Sequence, residues 1–306
     1  MHGRRLPTQT FGEGAGRSAT LGPHIVEGNL TMAMPLDLYL MRHGESESNV
    51  RVDADERGDS SWYQDDITVP DPAWRLTAKG RSQARAMGAF LAARQVGFDR
   101  YMVSPFTRTR ETAALLELPD ARWEENRVVR ERSWGEISTV PLSVFRDSYP
   151  GNWRLRNADP LYWRPPAGES IASVAEDRVH NLLDTIARTN DMGSVIVVTH
   201  GDFMWACRLV IEDLSDEEFL ALQDDDSQRI GNCTLIHYTR SDPATGRTSR
   251  RMNWVRLMSP RQLPDGSWDV QVGTWREFHK RQLTNDELLE LAKSSPVRHL
   301  TEQSAK

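Results

Sequence analysis

Val195, Ile196, Val197 and Val198 form an unbroken β-branched run between Gly193 and the polar group Thr199, His200, Gly201, Asp202. A run with no polar side to turn toward water predicts a strand covered on both faces, the condition of a central strand in a parallel sheet. Such a sheet needs helices on each side, and the flanking sequence supplies them. Leu36 to Met41 reads as a shorter strand breaking off at Arg42, His43 and Gly44. Thr77 is placed to cap a helix from Ala78 to Arg94, in which Ala84, Met87, Phe90 and Leu91 recur at three and four residues, with Gly97 as the stop. Phe98 to Val103 is the next strand, ending at Ser104 and Pro105, and Thr107 is expected to cap a helix through Leu116. Ser170 opens a helix to about Ala187, and others follow over Phe203 to Ile211 and after the Ser215, Glu218 capping box. The alternation predicts an α/β fold, a three-layer αβα sandwich with a mostly parallel central sheet and a C-terminal extension.

Other segments carry weaker patterns. Thr234 to Tyr238 and Met252 to Leu257 read as a hairpin at one edge of the sheet. Val50 to Asp71 reads as an acidic loop containing Trp62 and Tyr63, and the Trp- and Pro-rich stretch from Trp134 to Pro166 lacks a period. Residues 1–35, with scattered Gly, Pro and Arg, are expected to be a flexible leader. Residues 36–258 are then one catalytic domain, and 259–306 an extension packed on it, with Thr284 and Glu287 opening a helix over Asp286 to Lys293.

Composition narrows the partners. Thirty-eight Lys and Arg against 44 Asp and Glu give a net charge of −6, a balance that disfavours tracking a nucleic-acid backbone. Two cysteines, Cys207 and Cys233, cannot make a disulfide framework or a structural zinc site, so the chain reads as cytoplasmic. No apolar run of about 18 residues predicts a membrane span. Any anion handled by this chain must therefore meet a local basic site.

The ends of the predicted strands provide one. In open α/β sheets ligands bind beyond the carboxyl ends of the strands. Those ends deliver Arg42 and His43, then Ser104 with nearby Arg108, then His200 and Gly201. Guanidinium groups meet phosphoryl oxygens in bidentate geometry and stabilise their charge, while a neutral imidazole can attack phosphorus. The charges of Arg42 and Arg108 disfavour protonation of His43 and keep it nucleophilic. A carboxylic acid must supply the proton for the leaving oxygen, and Glu131 is the candidate.

Five ordered strings carry a resemblance: LMRHGESESN at 40–49, SPFTRTRETA at 104–113, VRERSWGE at 129–136, PAGES at 166–170 and VVTHGD at 197–202. Together they resemble the histidine phosphatase superfamily, in its phosphoglycerate-mutase-like branch. The resemblance implies His43 as the phosphorylated nucleophile, Arg42, Asn49, Arg108, His200 and Gly201 around the phosphate, and Glu131 as proton donor. It also implies a metal-free reaction with no cofactor. Ser46 and Trp134 are expected to line the substrate pocket. Mutases of the family usually carry Trp just before the Asn of the first string, where this chain has Ser48, so the resemblance is closest to the broad-specificity phosphatases. The expected activity is phosphomonoester hydrolysis through a phosphohistidine on a small phosphorylated substrate. A mutase-type transfer between hydroxyls and a non-catalytic phospho-ligand binder are the alternatives.

Overall fold

The computed structural model describes residues 34–61, 69–188 and 193–294. Most of the expected leader (1–33), Trp62 and Tyr63, and the last twelve residues lie outside them.

The central strand forms as β4, Ser194–Thr199, and its neighbours fix the sheet. In chain order the strands are β1 Asp37–Arg42, β2 Arg100–Val103, β3 Trp123–Glu125, β4, β5 Leu235–Thr239, β6 Trp254–Gln262, β7 Trp268–Val272 and β8 Arg276–Glu277. Their spatial order is β3-β2-β4-β1-β5-β6-β7, with β8 also on β6. β3, β2, β4 and β1 are mutually parallel, and β5 reverses against β1. The reversal is repeated at β6, β7 and β8. Thus β1 to β4 and β6 point one way, and β5, β7 and β8 the other.

Alternation along the two middle strands builds two cores. Leu38 and Leu40 of β1 and Val195 and Val197 of β4 pack with Val179, Leu182, Ile186, Phe203 and Met204 from the helices on one face. Tyr39, Met41, Ile196 and Val198 point the other way, against Ala84, Met87, Leu91 and Ala113. Successive strand residues face opposite sides, so an unbroken apolar run satisfies both layers at once. Each buried aliphatic side chain contributes about 1.5–3 kcal/mol from loss of water contact.

Helix Ala78–Ala93 starts where expected, with the Thr77 hydroxyl accepting from Gly80 N at 3.0 Å. It ends at Arg94 and the left-handed Gln95, before the anticipated stop at Gly97. Thr107 is the first residue of helix Thr107–Leu115 and not its cap; Phe106 holds the cap position without a side-chain bond. The rod beginning at Ile171 contains a π-helical stretch, Ala175–Val179, between α-helical Ile171–Val174 and His180–Ala187.

Three expectations need correction. The pair β5 and β6 is not an edge hairpin, because β7 continues the sheet beyond β6. The boundary at 258/259 falls inside β6, whose ladder to β7 runs from Met258 to Gln262, so the start of the extension belongs to the sheet itself. The segment read as an acidic loop begins in a helix, and the stretch without a period contains two. Glu47–Glu56 forms behind a Ser46 cap, and Leu142–Ser148 and Pro150–Ala158 close over Ile137, Phe145 and Trp163 as a small separate core. Among the described residues no helix is long and apolar enough to cross a membrane.

Candidate active site

The polar residues at the ends of β1, β2 and β4 converge. His43 follows β1, and its amide hydrogen-bonds the Thr199 carbonyl at 3.0 Å, tying the two strand ends together. Its Nδ1 lies 2.7 Å from the Gly44 carbonyl oxygen, which can only accept. The proton therefore sits on Nδ1 and the lone pair on Nε2. Nε2 in turn accepts from Arg108 Nε at 3.2 Å. Burial holds His43 well below the ordinary histidine value, and Arg108 and Arg42 push it further in the same direction. The imidazole is neutral with its reactive nitrogen defined.

The loop that carries His43 is held by close packing. The Gly44 amide donates to Thr112 Oγ1 at 3.0 Å. A Cβ at Gly44 would lie 2.5 Å from the Gly80 carbonyl oxygen, and one at Gly80 would lie 2.0 Å from the Glu45 carbonyl oxygen. Only glycine at both places lets the first turn of helix Ala78–Ala93 approach this loop. From the other side, Cys233 N and Asn232 Nδ2 both donate to the His43 carbonyl, at 3.1 and 3.3 Å.

Arg42 donates through Nη1 to the Ile230 carbonyl at 2.9 Å, while its buried Nε has no hydrogen-bond partner. Burial lowers its guanidinium from the usual value, and the Glu131 and Asp202 carboxylates pull it back up. Arg108, on the first turn of its helix, is anchored by Asp71, whose backbone oxygen accepts from Nη1 at 2.7 Å and whose carboxylate lies 3.2 Å from the same nitrogen. His200 is wholly buried, with Nε2 2.8 Å from Ser104 Oγ and its ring centroid 5.2 Å from that of His43. Its Nδ1 is buried without a partner. With the serine hydroxyl donating to Nε2, Nδ1–H is a free donor for an oxyanion. Burial and then Arg108 hold His200 well below the ordinary histidine range.

Glu131 reaches the pocket from the segment after the 3-10 turn Arg127–Val129. That segment is strapped from beneath. Thr199 Oγ1 donates to the Val129 carbonyl at 2.6 Å, and Arg178 Nη1, on the π-helical turn, donates to the carbonyls of Val128 and Arg130 at 3.1 and 2.8 Å. Glu169 joins the strap, accepting from Ser133 N and from Arg178. Burial first, then the neighbouring Asp202 charge, push the Glu131 carboxyl up to about 7. At neutral pH it is therefore divided between acid and base forms, the condition for giving and retrieving a proton.

A cavity of about 640 Å³ is lined by Arg42, His43, Asn49, Arg108, Glu131 and Gly201 among others. His200, wholly buried beside His43, is not among the lining residues. Asn49 Oδ1 accepts from Ser46 N, Ser46 Oγ and Asn232 Nδ2, which leaves the Asn49 amide nitrogen for the cavity. Trp134 reaches the wall as expected. Ser46 does not: it is fully buried and spends its hydroxyl capping helix Glu47–Glu56, with Asn49 completing the capping box. Gly201 passes close to Arg42, where a Cβ would meet Nε at 3.3 Å.

Sequence reasoning missed several participants. Asp71, Arg132, Arg156 and Asp202 line the cavity, and Asn232 and Arg178 support it. Adjacency to Glu131 and to His200 was an available signal for Arg132 and Asp202. Asp71, Arg156 and Asn232 arrive from segments with no motif.

Residues 38–245 match the family described as the histidine phosphatase superfamily (branch 1). Among curated proteins, 6-phosphofructo-2-kinase/fructose-2,6-bisphosphatase 3 of Rattus norvegicus is 29% identical over 184 residues, 60% of this chain and 29% of that protein. The corresponding enzyme 1 of Mus musculus is 28% identical over 184 residues, 60% of this chain and 34% of its own length. The chain thus spans about a third of the curated relatives it matches. Among solved structures, a mycobacterial glucosyl-3-phosphoglycerate phosphatase aligns with TM-score 0.54 at 20% identity, covering 78% of this chain and 97% of that one. The α-ribazole phosphatase of Shigella flexneri aligns with TM-score 0.53 at 18% identity, covering 70% and 96%. These likenesses establish a shared fold.

Proposed function

The chain belongs to the histidine phosphatase superfamily, branch 1, and from that premise we propose that it is a metal-independent phosphomonoester hydrolase acting on a small phosphorylated substrate through a phosphohistidine at His43. The observation that carries this reading is the hydrogen bond from His43 Nδ1 to the Gly44 carbonyl, which leaves Nε2 as an unprotonated nucleophile at the cavity wall.

His43 Nε2 attacks phosphorus while the bond to the ester oxygen breaks, and Glu131 gives its proton to the departing alkoxide. Arg42, Arg108, the Asn49 amide and His200 Nδ1–H supply donors to the three non-bridging oxygens. The carboxylate left on Glu131 then takes a proton from water as the water oxygen attacks phosphorus and the P–N bond breaks. Inorganic phosphate leaves, and His43 and Glu131 return to their starting states. Ser48 on the cavity wall leaves room for water where a bulkier side chain would exclude it, which favours hydrolysis over transfer to a second hydroxyl.

Rapid quench with a radiolabelled aryl phosphate tests the scheme: label is expected on His43, and His43→Ala is expected to lose turnover while keeping the circular dichroism of the parent. Label on Ser104, absence of any covalent label, or loss of activity with a chelator would overturn it.

A further inference from the structure

Resting on the hydrolase reading, we propose that the alcohol part of the substrate carries its own anionic group, a carboxylate or a second phosphate, and that Arg132 and Arg156 receive it. Both side chains line the cavity. Arg132 is only 6% exposed. Its Nε donates to Asp202 Oδ2 at 2.9 Å, but its Nη1 is buried with no hydrogen-bond partner. A buried donor without a partner is costly, so the position is built for a group that arrives.

Arg156 comes to the same cavity from helix Pro150–Ala158. Its guanidinium lies 5.1 Å from the Trp153 ring centroid, 5.9 Å from Trp134 and 6.0 Å from Trp163. Arg132 sits 4.2 Å over the same Trp134 ring. No carboxylate is hydrogen-bonded or ion-paired to Arg156 among the described residues. Burial and the nearby Arg132 charge lower the Arg156 guanidinium from its usual value, while the Asp202 and Glu56 charges, both on the cavity wall, pull it back up. Two like charges thus share an aromatic wall with only Asp202 bonded to one of them.

The other arginines around the cavity are engaged or stand at the phosphoryl end: Arg51 donates to the Ser138 carbonyl, and Arg42, with its Nε unpaired, adjoins His43. Arg130 and Arg178 divide Glu169, and Arg108 is held by Asp71. Arg132 and Arg156 retain donors for a ligand, and their place decides which part of it they meet. Arg132 directly follows Glu131, the acid that protonates the leaving oxygen, so the guanidinium pair borders the leaving alcohol and not the transferred phosphoryl group. Planar forked donors suit a carboxylate or phosphate equally, and both are the shared chemistry of the site.

Matched probes test the inference. Glycerol 3-phosphate and 3-phosphoglycerate differ by a hydroxymethyl against a carboxylate, and fructose 6-phosphate and fructose 1,6-bisphosphate differ by a second phosphate. The parent is expected to favour the more anionic member of at least one pair in kcat/KM by about tenfold or more, as a charge-assisted hydrogen bond provides. Arg156→Gln is expected to collapse that ratio by at least about fivefold, chiefly through KM. Parent ratios near one in both pairs, or an equal loss for both members in Arg156→Gln, would overturn the inference and leave the hydrolase reading standing. Calorimetric binding of the same probes to His43→Ala separates the two ideas in the other direction. Preferential binding of the anionic member, lost in the His43→Ala, Arg156→Gln double variant, sustains the subsite even if the parent hydrolyses nothing. Equal binding of both members removes it.

Discussion

Arg108 Nε stands 3.2 Å from His43 Nε2, so the guanidinium that the proposed mechanism assigns to the phosphoryl group first covers the nitrogen it assigns to the attack. The bond keeps the imidazole oriented and its lone pair engaged until an anion competes for the same donor. Asp71 completes the arrangement, since it holds the far nitrogens of the same guanidinium. The ground state is thus a three-member chain, His43 to Arg108 to Asp71, into which phosphate must insert.

Asp71 competes with that phosphate by charge while orienting Arg108 by its backbone oxygen. Asp71→Asn keeps the backbone acceptor and removes the charge. Inhibition by inorganic phosphate is expected to tighten by about two- to fivefold, the scale of a partly exposed ion pair. An unchanged or weakened inhibition constant would show that the carboxylate positions Arg108 more than it opposes the ligand.

In the proposed mechanism Glu131 sets the pH profile. Its carboxyl, pushed up to about 7, must be protonated to assist a poor leaving group. Turnover of alkyl phosphates should therefore decline above about pH 7, approaching tenfold per pH unit, whereas aryl phosphates with good leaving groups should decline far less. Asp202 contributes to the raised value by its charge. Asp202→Asn should move the descending limb to lower pH, and a limb that stays in place would assign it to another group.

Stability should depend on pH in a direction fixed by the buried histidines. His43 and His200 are held well below their ordinary value of 6.5 in the fold, so the unfolded chain binds protons there that the folded chain does not. Stability from these groups is present above that pH and is lost as pH falls below it. Glu131 acts oppositely: raised from 4.5 to about 7, it binds its proton in the fold first and adds stability as pH falls across that window. Burial lowers His237 as well, so three losses outweigh one gain and stability should fall as pH drops below about 6.5. Urea midpoints at about pH 7.5 and 5.5 measure it, and His43→Asn should flatten the slope.

Gly80 takes no part in the chemistry yet bounds the loop that carries His43. In Gly80→Ala the new methyl would sit 2.0 Å from the Glu45 carbonyl oxygen, against backbone with little freedom to yield. A loss of about 1–3 kcal/mol in denaturant unfolding is expected, together with reduced turnover as the His43 loop is pushed away. Loss of stability with full activity would show that the loop absorbs the shift without moving His43.

The parts legible in sequence share a local signature. The β-branched run at Val195 to Val198 forced a strand covered on both sides, and abrupt polar stops after β1, β2 and β4 marked the residues that meet in the cavity. Thr77, Ser170 and Ser215 announced their helices because a cap is a bond between near neighbours. What escaped depends on distant partners. Helix Pro150–Ala158 buries no side chain fully, and its one aromatic residue, Trp153, takes its place from the core of Phe145 and Trp163. Ser46 looked like a pocket residue because it shares a string with His43 and Asn49, while its hydroxyl turns inward to a cap. The reversal at β5 left no mark, since a strand's direction is decided by what it pairs with.

That reversal has a consequence for how the protein comes into being. A strand entering antiparallel to β1 brings the loop before it, and not the loop after it, to the catalytic end of the sheet. Ile230, Asn232 and Cys233 reach Arg42 and His43 by this route. A nascent chain that has emerged only through helix Gly201–Ile211 already holds His43, Arg108, Glu131 and His200. It still lacks the carbonyl that anchors Arg42 and both donors to the His43 carbonyl. The nucleophile is made early in synthesis, and the floor beneath it is laid only when the ribosome has passed β5.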